Sequence, residues 1–262
     1  MSGRKQLIVN ADDFGRSPGI NRGILEAHLH GIVTSTTLMV NTRWSESSAE
    51  ILAGVPGLAV GLHLNFCYGQ PVSEVNEVPS LLSSDGTLNP SIRELLRTAD
   101  PNEIRTETTA QVRRFQRIMG RMPSHLDSHK YLHSNPPFRS IVAEVASSHA
   151  LPVRATSGDD RAELAALRVA TTGHFEGRFH GLDGEGVDQA LLDRIILEMP
   201  CGTTELMCHP GYVDADLLDS SYRDDREHEL LALCSSETRK RIDEAGIQLI
   251  DFSQLAVKWG DA

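Results

Sequence analysis

Asp12 and Asp13 stand side by side at the end of a short apolar run, Leu7-Ile8-Val9. Three more polar clusters close β-prone segments in the same way. They are Gly61-Leu62-His63-Leu64-Asn65, His125-Leu126-Asp127-Ser128-His129 and Cys208-His209-Pro210-Gly211. In α/β folds, sites form at the C-terminal ends of strands, so residues distant in sequence can meet in one pocket. An acid pair in such a place suits a metal-assisted hydrolase. One carboxylate and two imidazoles can hold an ion and leave positions for water and substrate. Neighbours on a strand point to opposite faces, so the second carboxylate can act as general base. Asp127 and His129 share a face under a period of two, which fits a ligand backed by a carboxylate, or two ligands. His209, held at a turn by Pro210-Gly211, reads as a general acid toward a leaving amine.

Each residue also has a plainer explanation. An Asp-Asp-Phe-Gly stretch makes turns and helix caps, and a lone histidine in an apolar strand is more often a satisfied core residue than a ligand. Asp127 and His129 could form a buried pair, and His209 could stabilise its turn. His133 lies in a segment that reads as loop, Ser134-Asn135-Pro136-Pro137, and is a lesser candidate for substrate contact. His28, His30, His149, His174, His180 and His228 lack the strand-end placement and read as structural or exposed. Cys208 precedes His209, but adjacent strand residues face apart, which argues against a catalytic pair. Two imidazoles and one carboxylate suit Zn, and Mg, Mn, Fe or Co can occupy the same set.

The elements that must position these residues alternate between strand and helix. Ser17-Pro18 is an N-cap followed by proline at the first helical position, and Gly31 can close that helix. Strands are expected over 35–40, 58–64, 124–128, 151–155, 203–208 and 247–252. Helices are expected over 47–53, from Asp100-Pro101-Asn102-Glu103 to Gly120, over 137–149 and 188–198, and as one or two over 223–246. Residues 66–89 read as a long irregular loop, of a length that is usually functional. Residues 157–187 resist assignment. The charged stretch 224–229 reads as a solvated helix face. About seven strands alternating with helices imply a parallel α/β architecture, one strand short of an eightfold barrel.

The chain has 262 residues and a formal net charge of -11. One unit, 1–262, is the expected organisation. The acidity excludes nucleic acid as a main partner, because phosphate binding needs a basic face. The four cysteines form no C-x-x-C pair, and reduced thiols in a cytoplasmic protein are expected. The first residues are not expected to be a signal peptide, and no run approaches the about 20 apolar residues of a membrane span.

These segments, in this order, resemble the YdjC-type carbohydrate deacetylases, a family that includes chitooligosaccharide deacetylases and a branch linked to hopanoid biosynthesis. Asn10-Ala11-Asp12-Asp13-Phe14-Gly15 and the three clusters above carry the likeness, with weaker support from Gly69-Gln70-Pro71-Val72 and Asp85-Gly86. The resemblance implies an irregular, TIM-barrel-like (β/α) barrel of about seven parallel strands. It implies that Asp13, His63 and His129 hold one divalent metal ion, Mg or Zn, with Asp12 as base and His209 as acid. The substrate implied is an N-acetylated glucosamine in an oligosaccharide or linked to a lipid, and a homodimer is left open. Asn65, Asp127, His133 and Arg154 complete the set as candidate substrate contacts. The family often has another histidine where this chain has Tyr131. Two other functions remain in view. A metal-dependent phosphoesterase would want basic groups at the strand ends, for which Arg16, Lys130 and Arg154 are the candidates. A non-catalytic sugar-binding protein would want exposed aromatics such as Trp44 and Trp259.

Overall fold

The computed structural model describes residues 3–181, 186–218, 220 and 222–255; Trp259 lies outside them. The strands are β1 (Lys5–Phe14), β2 (Ser35–Leu38), β3 (Ala59–Leu64), β4 (Leu126–Ser128), β5 (His174–Glu176), β6 (Gly202–Cys208) and β7 (Ile247–Leu249). The helices are α1 (Pro18–Leu29), α2 (Ser45–Ala53), α3 (Ile92–Thr98), α4 (Pro101–Met119), α5 (Phe138–Ser148), α6 (Gly158–Ala166), α7 (Gln189–Glu198), α8 (Asp225–Leu233) and α9 (Ser236–Glu244).

Local chemistry explains the helix ends. Ser17 accepts a hydrogen bond from Ile20 N at the start of α1, with Pro18 behind it. Asp100 caps α4 through Asn102 N, and Gly120 ends it in the left-handed region at φ 67°. Gly31 does not cap α1, which stops at Leu29. It is glycine because a Cβ there would meet Leu233 O at 2.5 Å.

The strands form one parallel sheet in the order β4-β3-β2-β1-β6-β5, with β7 paired to the first residues of β1. The sheet curls, but the expected TIM-like ring is not closed by strand pairing. Where a strand was expected at 151–155, only Val153 bridges to Leu126. Pro152 has no N–H to donate, and Val153 N turns to Ala170 O at 2.9 Å. The strand found instead, β5, lies in the stretch that resisted assignment.

The two faces of the sheet differ in kind. Leu7, Val9 and Ala11 of β1 belong to the large apolar core. The alternate residues, Ile8, Asn10 and Asp12, point the other way. That second face carries Thr37, His63, Asp127, Arg154 and Glu205, all buried and bonded to one another across strands. A closed TIM barrel fills its interior with layers of branched aliphatic side chains. Here charge and hydrogen bonding occupy that space.

Candidate active site

A cleft of about 720 Å³ opens at the C-terminal ends of the strands. Asp12, Asp13, His63, His129 and His209 all line it. The adjacent acids can both reach it because β1 does not keep a straight course. Its register with β2 slips between Ala11 and Phe14, and Asp13 sits at φ 70°. Aspartate tolerates this left-handed conformation better than most residues. The strict alternation expected for β1 therefore ends one residue before Asp13.

Asp13, His63 and His129 bring three donor atoms within 4.8 Å of one another. Asp13 Oδ1 lies 3.4 Å from His63 Nε2 and 3.1 Å from His129 Nδ1. His63 Nδ1 is 2.8 Å from Asp127 Oδ1, an arrangement that orients the ring and directs Nε2 toward the cleft. That Nε2 is buried and has no hydrogen-bond partner. Burial disfavours the charged ring, but the Asp127 carboxylate outweighs it and pushes His63 up to about 10. Burial likewise works against the Asp13 carboxylate, yet Arg226 and His129 hold it well below the usual range. Arg226 reaches Asp13 Oδ2 at 2.6 Å. An orphaned imidazole nitrogen aimed at an ionised carboxylate is the arrangement a divalent cation fits, and the donors present match such an ion.

Asp12 is held from below. Arg154 grips both of its oxygens at 2.7 Å, and also reaches Glu205 at 2.7 Å and Asp127 at 3.0 Å. Burial would raise the Asp12 carboxyl, but the guanidinium holds it well below the carboxylate range. Glu205, buried with one oxygen unpartnered, is pushed up to about 7 by that burial. Arg154 was expected among the substrate contacts, but it is fully buried and does not line the cleft. Asn65, Asp127 and His133 are also buried behind the cleft wall. Asp127 backs His63. Asn65 donates to Tyr68 O at 2.7 Å, positioning a loop whose tyrosine does line the cleft. His133 Nδ1 bonds Ser128 at 2.6 Å. Of the three basic residues a phosphoesterase would use, Arg16 and Lys130 reach the cleft and Arg154 does not.

His209 stands beside Asp12 at the end of the neighbouring strand, since β6 pairs with β1, and its Nε2 lies 4.0 Å from Asp12 Oδ2. Burial, reinforced by His180, holds this imidazole well below its ordinary range, so it rests neutral. Its backbone N–H donates to Glu229 of α8, and Tyr222 donates its hydroxyl to the same carboxylate. Two expectations fail here. His180, read as structural or exposed, lines the cleft and places its Nδ1 3.1 Å from His209 Nδ1. The stretch 224–229, read as a solvated face, buries Arg226 and Glu229. Arg226, Glu229, Leu230 and Leu233 recur at helical spacing, a pattern that would have marked an inward face. Cys208 points away into the core, with its thiol bonded to Asn10 O at 3.4 Å.

The chain is similar to proteins of one known family. A family model described as YdjC-like protein matches residues 6–244. A chitooligosaccharide deacetylase of Serratia marcescens is 37% identical over 260 residues, spanning 96% of this chain and 99% of its own length. A carbohydrate deacetylase of Brevibacillus brevis is 39% identical over 256 residues, spanning 95% and 99%. The crystal structure of an Enterococcus faecalis V583 protein, named for a proposed role in cellobiose-phosphate cleavage, superposes with a TM-score of 0.86. It is 31% identical and covers 97% of this chain and 100% of its own.

Proposed function

Because this chain belongs to the YdjC-like protein family, we propose that it is a metal-dependent carbohydrate deacetylase. Its substrate is an N-acetylglucosamine-containing oligosaccharide or glycolipid, and the whole chain, 1–262, serves as one catalytic unit. Named carbohydrate deacetylases among its relatives support the reaction class. The observation that carries the reading is the convergence of Asp13, His63 and His129, with Asp12 and His209 facing each other beside them.

Asp13, His63 Nε2 and His129 Nδ1 would hold one divalent ion, Mg or Zn. When bound, such an ion supplies Lewis-acid chemistry that polarises an amide carbonyl and acidifies water, which lets a carboxylate held as low as Asp12 accept a proton. Asp12 takes the proton of the water that attacks the acetyl carbon. Arg154 keeps Asp12 ionised and fixes its two oxygens. His209 starts neutral, so its Nε2 can collect that proton across the 4.0 Å gap and pass it to the departing sugar amine. The amide C–N bond breaks, acetate leaves, and the amine carries the proton away. Asn65, Asp127, Arg154 and His133 act through the residues they support. The aromatic walls, Tyr68, Tyr131 and Tyr222, offer faces for sugar rings.

The test is acetate release from a panel of N-acetylated oligosaccharides and glycolipids, by protein stripped with a chelator and then resupplied with Zn or Mg. Release that disappears with the chelator and returns with the metal is expected. No acetate from any member, with metal restored, would sink the reading.

A further inference from the structure

A second group of donors converges outside the Asp13 cluster. His180, on the 3-10 turn after β5, meets His209 at the end of β6 and Glu229 of α8. Their donor atoms lie within 4.8 Å of one another. The two Nδ1 atoms are 3.1 Å apart, and Glu229 Oε1 is 3.9 Å from His209 Nδ1. We propose that His180, His209 and Glu229 form a second divalent-cation site, suited to zinc, whose occupation withdraws His209 from proton transfer.

Two imidazoles and a carboxylate form a donor set that zinc takes. Both rings offer lone pairs, because burial holds His209 and His180 below the ordinary imidazole range. A hydrogen bond between the rings accounts for the 3.1 Å contact, while the His209 backbone N–H and the Tyr222 hydroxyl fix Glu229 beside both rings. That carboxyl is fully buried and, among the described residues, no arginine or lysine forms an ion pair with it. Burial pushes it up to about 8. A divalent cation beside it would displace its proton and take the carboxylate as an anionic ligand. Tyr222 orients the set, since its hydroxyl bonds Glu229 while its ring lies 3.9 Å from that of His180, tilted by 37°. Such supporting contacts are what ligands need to hold their geometry. His180 is half-buried and lines the cleft, so an ion can enter from solvent. The site shares no ligand with Asp13, His63 and His129. With Nδ1 of His209 carrying an ion, the ring keeps one proton at Nε2 and cannot accept another, so the transfer from Asp12 stops.

Binding stands on the geometry alone, while inhibition rests on the role proposed for His209. Equilibrium dialysis of the full chain against zinc, with bound metal counted, separates the two. Two equivalents are expected in the wild type, one in His180→Ala, and one in Asp13→Ala, which is abolished when His180→Ala is added. Losing a ligand should weaken the second equivalent by more than the about 10- to 100-fold typical of losing a ligand's supporting partner. Circular dichroism checks that the variants fold. No bound zinc in Asp13→Ala, or the same number of equivalents in His180→Ala as in the wild type, overturns the proposal. In parallel, zinc beyond the first equivalent should slow acetate release by the wild type and leave the rate of His180→Ala unchanged. If no form releases acetate, the deacetylase reading fails while dialysis still decides the site.

Discussion

The floor of the cleft and the wall beside it hold their proton carriers by opposite means. Beneath Asp12 the network is made of full charges, with Arg154 shared among Asp12, Asp127 and Glu205. Behind His209 the ring faces neutral groups and a buried acid, with Tyr222 and a backbone N–H bonded to Glu229, and Arg226 reaches His209 only at its backbone carbonyl. The first arrangement locks a group in its ionised form. The second keeps a group uncharged until a proton arrives. The difference gives the cleft a direction for proton flow, from an anion toward a neutral base 4.0 Å away.

Three experiments press on this contrast. The largest effect belongs to Asp12→Asn, which removes the acceptor while Arg154 keeps two other acids. Acetate release should fall about 100- to 10,000-fold, the worth of a positioned acid or base. An unchanged rate would move the base elsewhere and dissolve the floor's proposed role. Next comes Arg154→Met. It leaves three buried carboxylates without their cation, and urea unfolding should show a loss of about 3–5 kcal/mol. A loss no larger than that of a surface substitution would show that the floor is not held by charge.

The smallest effect tests the wall through pH. The Glu229 carboxyl is raised from 4.5 to about 8. Between those values the folded chain binds more protons than the unfolded one, so this group's contribution to stability falls as pH rises, by up to about 1.4 kcal/mol per unit. Glu229→Gln removes that dependence. The melting temperature of the variant relative to wild type should climb steadily from about pH 5 to about pH 8. A constant offset across the range would mean that Glu229 is not held protonated.

The strand-end residues were legible in the sequence because apolar runs mark strands and polar punctuation marks their ends. Asp12, Asp13, His63, His129 and His209 all reached one cleft on that basis. Their supports were harder to see. Arg154 sits in Leu151-Pro152-Val153-Arg154-Ala155, where a cation inside an apolar run hints at a buried ion pair, yet nothing local names its partners. Asp12 and Glu205 are 142 and 51 residues away. His180 follows a strand of only three residues, too short for periodicity to reveal. The open ring was not legible, because on the edge away from β4 Val153 N bonds Ala170 O, a loop partner that no local pattern names.

Asp13 and Asp12 are consecutive, and the kink between them brings both to the cleft from one central strand. Their Cα atoms are fixed about 3.8 Å apart by covalent bonding. When neighbouring strands breathe, the distances to His63 and His209 change, while the spacing of the two acids cannot. The backbone thus serves as a caliper, and a residue inserted between the pair should be tolerated by the sheet long before it is tolerated by the chemistry.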